Sequence, residues 1–215
     1  MELSVLDPFG DYETRGYLRN RFHEKDLKLV GHLETVAFGL HVRDTVRFLR
    51  TLPSISYPHI TETHRRLFNS VYPWAGEDRS QNAPGIAIVK AGHKTLFAHP
   101  ADVRRAAEYA LELGKDAVYL RDHPGQVFGY LAHAHPFLEG NGRTILTIFA
   151  ELCRRAGFHI EWEVIDKVDF LRALTDELLQ PGTAMDKLVV PYVRPGALSV
   201  ESAATQLGSN FNSSR

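Results

Sequence analysis

His133-Ala134-His135-Pro136-Phe137-Leu138-Glu139-Gly140-Asn141-Gly142-Arg143-Thr144 is the stretch of this 215-residue chain that reads neither as core nor as ordinary surface. Pro136 disfavours helical geometry at His135, so a helix entering from Pro124 through Val127 and Leu131 should stop there, leaving the imidazole at a helix end beside a short loop. The next helix carries Ile145, Ile148, Phe149, Leu152 and Ala156 on one stripe and ends at Gly157. Gly140 and Gly142 permit backbone conformations that a side chain would block, and the amides at a helix start make a pocket for an anion, here phosphate. Glu139 beside such a pocket would be repelled by phosphate unless a cation lay between them; Mg²⁺, a hard ion held by one or two carboxylates plus phosphate oxygens, suits that place. Arg143 can pair with phosphate oxygens in two-pronged fashion. His135, with an ordinary pKa of about 6.5, suits removal of a proton from an attacking hydroxyl.

The rest of the chain reads mostly as helix. From about Asp26 to Leu40, period 3.6 places Leu29, Leu33, Val36, Ala37 and Leu40 on one face, and Ile60, His64, Leu67, Phe68 and Val71 repeat the pattern before Pro73. A third helix starts near Pro100 and carries Val103, Ala106, Ala107 and Ala110; a last one runs from about Lys167 to Leu179. Over about 80–99 the character changes: the turn signals Asn82-Ala83-Pro84-Gly85 and Ala91-Gly92-His93-Lys94 bracket the apolar run Ile86-Ala87-Ile88-Val89, which predicts a β-hairpin flap on a helical body. The expectation is an all-α domain over 1–182, followed by a small and polar C-terminal extension, 183–215, that is partly flexible although its run Leu188 to Val193 can dock.

Composition narrows the classes. At 44% hydrophobic and 24% charged, the chain has the make-up of a globular protein with a real core. Twenty-five Lys and Arg against 26 Asp and Glu leave a net charge of −1, so no nucleic-acid-binding surface shows in the totals. Cys153 is the only cysteine, which excludes an internal disulfide framework and a multi-cysteine metal site, fits a reducing compartment, and reads as a small buried apolar residue. Apolar runs fall far short of the roughly 20 residues that span a bilayer, and Met1 to Asp7 lacks the basic flank and apolar core of a secretory signal. The expected setting is cytoplasmic, or a host cell reached by some other signal.

The nine residues His135-Pro136-Phe137-Leu138-Glu139-Gly140-Asn141-Gly142-Arg143 resemble the signature of the Fic family, H-P-F-x-[D/E]-G-N-G-R, in which one position is free. Asp7-Pro8, Leu18-Arg19-Asn20, His64-Arg65-Arg66-Leu67-Phe68 and Tyr72-Pro73-Trp74-Ala75-Gly76-Glu77-Asp78-Arg79 come in the order that family uses, so the resemblance covers roughly residues 5 to 180. It implies a Fic-type helical bundle with a flap that transfers AMP from ATP onto a Ser, Thr or Tyr hydroxyl of a target protein, in a toxin-like or effector setting. In that picture His135 is the general base and Glu139 holds Mg²⁺. Gly140, Asn141 and Gly142 form the anion hole, and Arg143 braces the phosphates. Phe137 anchors the loop, and Ile86, Ala87 and Ile88 of the flap dock the target backbone as an added strand.

Two departures accompany the resemblance. Many AMP-transferring relatives carry a second arginine three residues after the first; here that position is Leu146. Arg154 and Arg155 lie roughly 16 to 18 Å further along the helix and do not substitute. UMP, GMP, phosphocholine or phosphate therefore stand beside AMP as the transferred group, although the intact Gly140-Asn141-Gly142 argues against the phosphate-transferring branch, and a non-catalytic partner-binding module is the alternative from another class. The chain also lacks the inhibitory [S/T]-x-x-x-E-[G/N] string of self-restrained relatives. Either a small antitoxin-like protein supplies that control or it is lost.

Overall fold

Asp26 accepts from the amides of Lys28 and Leu29 and thereby starts the longest helix, α1 (Leu27–Thr51), in a computed structural model that describes residues 18–85, 88 and 96–212. There follow α2 (Tyr57–Phe68), the one-turn α3 (Arg79–Asn82), α4 (Val103–Lys115), α5 (Ala117–Asp122), α6 (Pro124–Ala134) and α7 (Asn141–Arg155). Past Gly157 come β1 (Phe158–Ile160), α8 (Lys167–Leu179), α9 (Ala184–Val189), β2 (Val193–Pro195) and α10 (Val200–Asn212). The fold is all-α. Its sheet among the described residues is the antiparallel pair β1–β2, with Phe158 opposite Pro195 and Ile160 opposite Val193. The expected flap hairpin is a different segment; of its residues, Ile86, Ala87 and 89–95 lie outside the described residues.

The helix that follows the signature loop is the hub. α7 packs against α1, α2, α6 and β1, and buries the expected stripe Ile145, Ile148, Phe149, Leu152 and Ala156 together with Cys153. Phe128 of α6, Phe149, Trp162 and Phe170 of α8 meet edge-on or tilted with centroids 5.2 to 6.0 Å apart, closing the side of the core nearest the loop. Every element that carries a signature residue is thus anchored in one apolar body.

Two expectations are corrected. On α1 the inward stripe is Val30, Glu34, Ala37, Phe38, Val42, Val46 and Leu49, while Leu29, Val36 and Leu40 are exposed, Leu40 by 70%. The buried stripe carries Glu34 and Thr45, so hydropathy alone favours its neighbour on the helix surface. Nor is Gly182 a packing boundary: α9 lies on α6 and α8, α10 lies on α1, and Met185, Val189 and Leu207 are fully buried. Asp186 accepts from the first-turn amides of Gly125 and Gln126, so the C-terminal segment also caps the helix that leads to His135. Small residues such as Ala203 and Ala204 make this close packing possible, and their low hydrophobicity is what made the segment read as loose.

Candidate active site

α6 ends at Ala134, and His135 adopts a left-handed conformation, φ 41°, ψ 59°, that redirects the chain into the loop. Such geometry is uncommon for a residue with a side chain and persists where its surroundings enforce it. Phe137 is fully buried, with its ring stacked on the His64 imidazole at 3.8 Å between centroids. The Phe137 amide donates to Asn141 Oδ1 (2.8 Å) and Asn141 Nδ2 donates to the Phe137 carbonyl (2.6 Å), so the Asn141 side chain fastens the loop to itself. Gly140 precedes α7 with φ 78°, and a Cβ there would meet Phe68 Cε2 at 2.7 Å, so no other residue fits without displacing the core.

His64 supports this loop from below. The Gly76 amide donates to its Nδ1 (2.8 Å), which puts the ring proton on Nε2, and Nε2 donates to the Glu139 carbonyl (3.0 Å). Complete burial pulls the His64 pKa down to about 3, so it is neutral at physiological pH and acts as a strut.

Above the loop, His135, Asn141 and Gly142 line one end of a cavity of about 220 Å³ whose other walls include Phe97, Phe128, Leu146, Trp162 and Phe170. The His135 ring stacks on Phe97 at 3.8 Å. The amides of Asn141, Gly142 and Arg143 belong to the first turn of α7 and have no helical acceptor, which leaves an anion-attracting helix start beside an imidazole. Leu146 is on the cavity wall and Lys167 is at its edge.

Arg143 is turned away from this cavity. Its Nη2 donates to Glu34 Oε2 of α1 at 2.5 Å, its guanidinium lies 4.7 Å from the Phe68 ring centroid, and the Tyr72 hydroxyl donates to the other Glu34 oxygen. Loss of hydration and the Glu34 charge push the Tyr72 hydroxyl pKa up. Glu139 is an exposed residue with Oε1 accepting from the Gly140 amide (2.8 Å). Desolvation of its carboxyl and the nearby Glu34 charge raise its pKa.

A wider groove of about 700 Å³ shares Phe97 with this cavity and is lined by Ile88, His99, Arg105, Tyr109, Tyr130 and His133 among others. Ile88 is the one flap residue of the expected docking run that is described; Ile86 and Ala87 lie outside the described residues. His133 Nδ1 donates to the Leu96 carbonyl (2.9 Å) and holds the segment re-entering from the flap. Arg154 and Arg155 are both paired with the buried Glu151, far from the cavity.

Sequence reasoning missed Glu34, Arg79 and the role of His64. Arg79 is wholly buried and contacts the loop carbonyls, and nothing in its local pattern separates it from a surface arginine. A carboxylate at an inward helical position, such as Glu34, is the signal that was available.

Residues 54–153, from the approach to α2 through most of α7, match the model of the Fic/DOC family. The chain belongs to the Fic family. It is 31% identical over 193 residues to the protein adenylyltransferase VbhT of Bartonella schoenbuchensis, covering 85% of this chain and 38% of that protein, so it spans well under half of that relative's length. It is 29% identical over 183 residues to the probable protein adenylyltransferase y4lH of Sinorhizobium fredii, covering 80% of this chain and 88% of that one. The fold is similar to that of the N-terminal Fic domain of a VirB-translocated Bep effector of Bartonella quintana, solved with bound ADP: TM-score 0.71 at 22% identity over 89% of this chain and 96% of the other. Glu34 and the helices after α7 fall outside the stretch matched by the family model, yet in this Fic domain they complete the walls and supports of the site.

Proposed function

We propose that this Fic domain transfers AMP from ATP to a Ser, Thr or Tyr hydroxyl of a target protein. The observation that carries the reading is that His135 and the first-turn amides of α7 open on the same cavity. The names of the relatives, protein adenylyltransferase, and the ADP held by a solved neighbour support the same chemistry. His135 takes the proton from the target hydroxyl while its oxygen attacks the α-phosphorus, and the bond to the leaving pyrophosphate breaks. The amides of Asn141, Gly142 and Arg143 receive the charge that develops on the phosphate oxygens, and the apolar walls around Phe128, Trp162 and Phe170 exclude water and receive the base.

Among the described residues no cluster of three or more His, Cys, Asp or Glu side chains is placed to hold a metal. Glu139, exposed and with Oε1 accepting from the Gly140 amide, is the residue that would hold a Mg²⁺ arriving with its nucleotide. The ion supplies neutralisation of the phosphate charge. Ile88 and the groove beside it receive the target segment, and the toxin-like or effector role, with an antitoxin-like partner as its restraint, is part of the same proposal. No helix among the described residues is long and apolar enough to cross a membrane.

The test is labelled ATP with Mg²⁺ and cell lysate. The wild type labels a protein band and His135→Ala does not; wild-type silence with all four nucleoside triphosphates, or equal labelling by the variant, overturns the reading. Mass spectrometry of the product identifies the transferred group.

A further inference from the structure

Arg79 opens α3 and is wholly buried, although it is one of the longest and most strongly hydrated side chains. Its amide donates to the Pro136 carbonyl (2.8 Å), its Nε to the His135 carbonyl (2.8 Å) and its Nη2 to the Ala98 carbonyl (2.8 Å). Ala98 is fixed from the other side too, its amide donating to the His133 carbonyl (2.8 Å). One residue therefore joins two consecutive carbonyls at the helix break to the carbonyl of Ala98. The neighbouring Asp78 is otherwise engaged: the Tyr57 hydroxyl donates to its Oδ2 (2.5 Å), and the Ser80 amide and hydroxyl donate to its Oδ1. Arg79 Nη1 is buried with no hydrogen-bond partner.

Burying a cation with a spare donor is expensive, and tying backbone carbonyls together needs no charge. A left-handed residue with a side chain is likewise unfavourable and must be enforced by its surroundings. Both costs fall on the same bond, from Arg79 Nε to the carbonyl of the residue whose imidazole faces the cavity. The planar guanidinium sets the direction of that bond in a way a flexible ammonium cannot.

We propose that Arg79 is a positioning residue for His135: it enforces the conformation that aims the imidazole into the cavity, and through its bond to the Ala98 carbonyl it ties the segment that begins at Leu96 to the same helix break. Arg79 touches neither nucleotide nor target and takes no proton. The inference rests on the reading of His135 as the base.

The test uses the full chain with Arg79→Lys and Arg79→Met, each checked for folding by circular dichroism. The single-turnover rate of target labelling should fall about a hundredfold, as a misplaced catalytic group does, while the Kd for a fluorescent ATP analogue stays within about threefold. Guanidinium at millimolar concentration should restore about tenfold of the rate to Arg79→Ala. Independently of transfer, the His135 ring signals in NMR spectra should shift in Arg79→Lys while those of His64 stay put. A folded Arg79→Lys that labels within threefold of wild type, an equal loss in rate and nucleotide affinity, unmoved His135 signals, or unfolding of both variants overturns the proposal. If the wild type transfers nothing but the His135 signals move as expected, the base assignment fails and the positioning stands.

Discussion

Arg143 Nη2 lies 2.5 Å from Glu34 Oε2, joining the first turn of α7 to the middle of α1, with both side chains 10% exposed. The motif arginine is thus occupied by protein before any phosphate arrives. To reach a phosphate it must release Glu34, whose other oxygen is held by Tyr72. Together the side chains of Glu34, Glu139 and Arg143 carry one positive and two negative charges, so under the proposed function a metal-bound phosphate is received at the α7 start more favourably than a bare one.

Breaking that pair from one side leaves a buried guanidinium without its counter-charge. Glu34→Gln should lower the unfolding free energy by about 3 kcal/mol in urea titrations, and Glu34→Gln combined with Arg143→Gln should cost less than the sum of the single changes. Strict additivity in the double-mutant cycle would mean that the contact contributes no coupling.

His64 makes folding pH-dependent. Its folded pKa of about 3 lies below the ordinary value of about 6.5, so the unfolded chain binds the proton first. The penalty is absent above pH 6.5 and grows on acidification at about 1.4 kcal/mol per pH unit until the folded pKa is reached. His64→Gln keeps a donor and an acceptor for Gly76 and Glu139 without titrating. Chemical denaturation between pH 7 and pH 4 should show a shallower loss of stability for this variant than for wild type; parallel curves would remove His64 as the cause.

Asn141→Ala deletes both bonds to Phe137 while leaving the backbone amide of position 141 in place. The cost should be about 2 kcal/mol in stability, from one buried donor and one buried acceptor left open. Labelling should fall further than nucleotide affinity, because the loop shape rather than the helix start is what changes. Calorimetric titration beside the labelling assay separates the two.

Part of the signature loop was legible because its chemistry is local: Pro136 ends a helix and Gly140 turns the chain. Both lie where that reasoning puts them. What was hidden depends on contacts between distant parts of the chain. The partner of Arg143 is invisible locally because α1 brings Glu34 to it from 109 residues away in sequence. The span of the Asn141 side chain across the loop to Phe137 is equally invisible until the loop is folded. The α1 face was misread by about one position because its inward stripe contains a carboxylate, and the C-terminal helices because alanine packs closely without looking hydrophobic.

Leu146 offers the sharpest test of the donor. It is buried to 4% exposure on the cavity wall, one turn beyond Arg143 on the same helix, with Trp162, Ile165, Phe170 and Leu174 among the other lining residues. Leu146→Arg places a cation at that wall with no carboxylate among the described residues that line the cavity. The free protein should therefore melt at lower temperature, the ordinary consequence of an unpaired buried charge. A triphosphate supplies the missing counter-charge, so the rise in melting temperature on adding ATP and Mg²⁺ should be larger for the variant than for wild type, and labelling from ATP should increase. An ATP-induced rise no larger than that of wild type would mean that the distal phosphate does not approach position 146, and the donor would then be sought among nucleotides whose far end is not a phosphate.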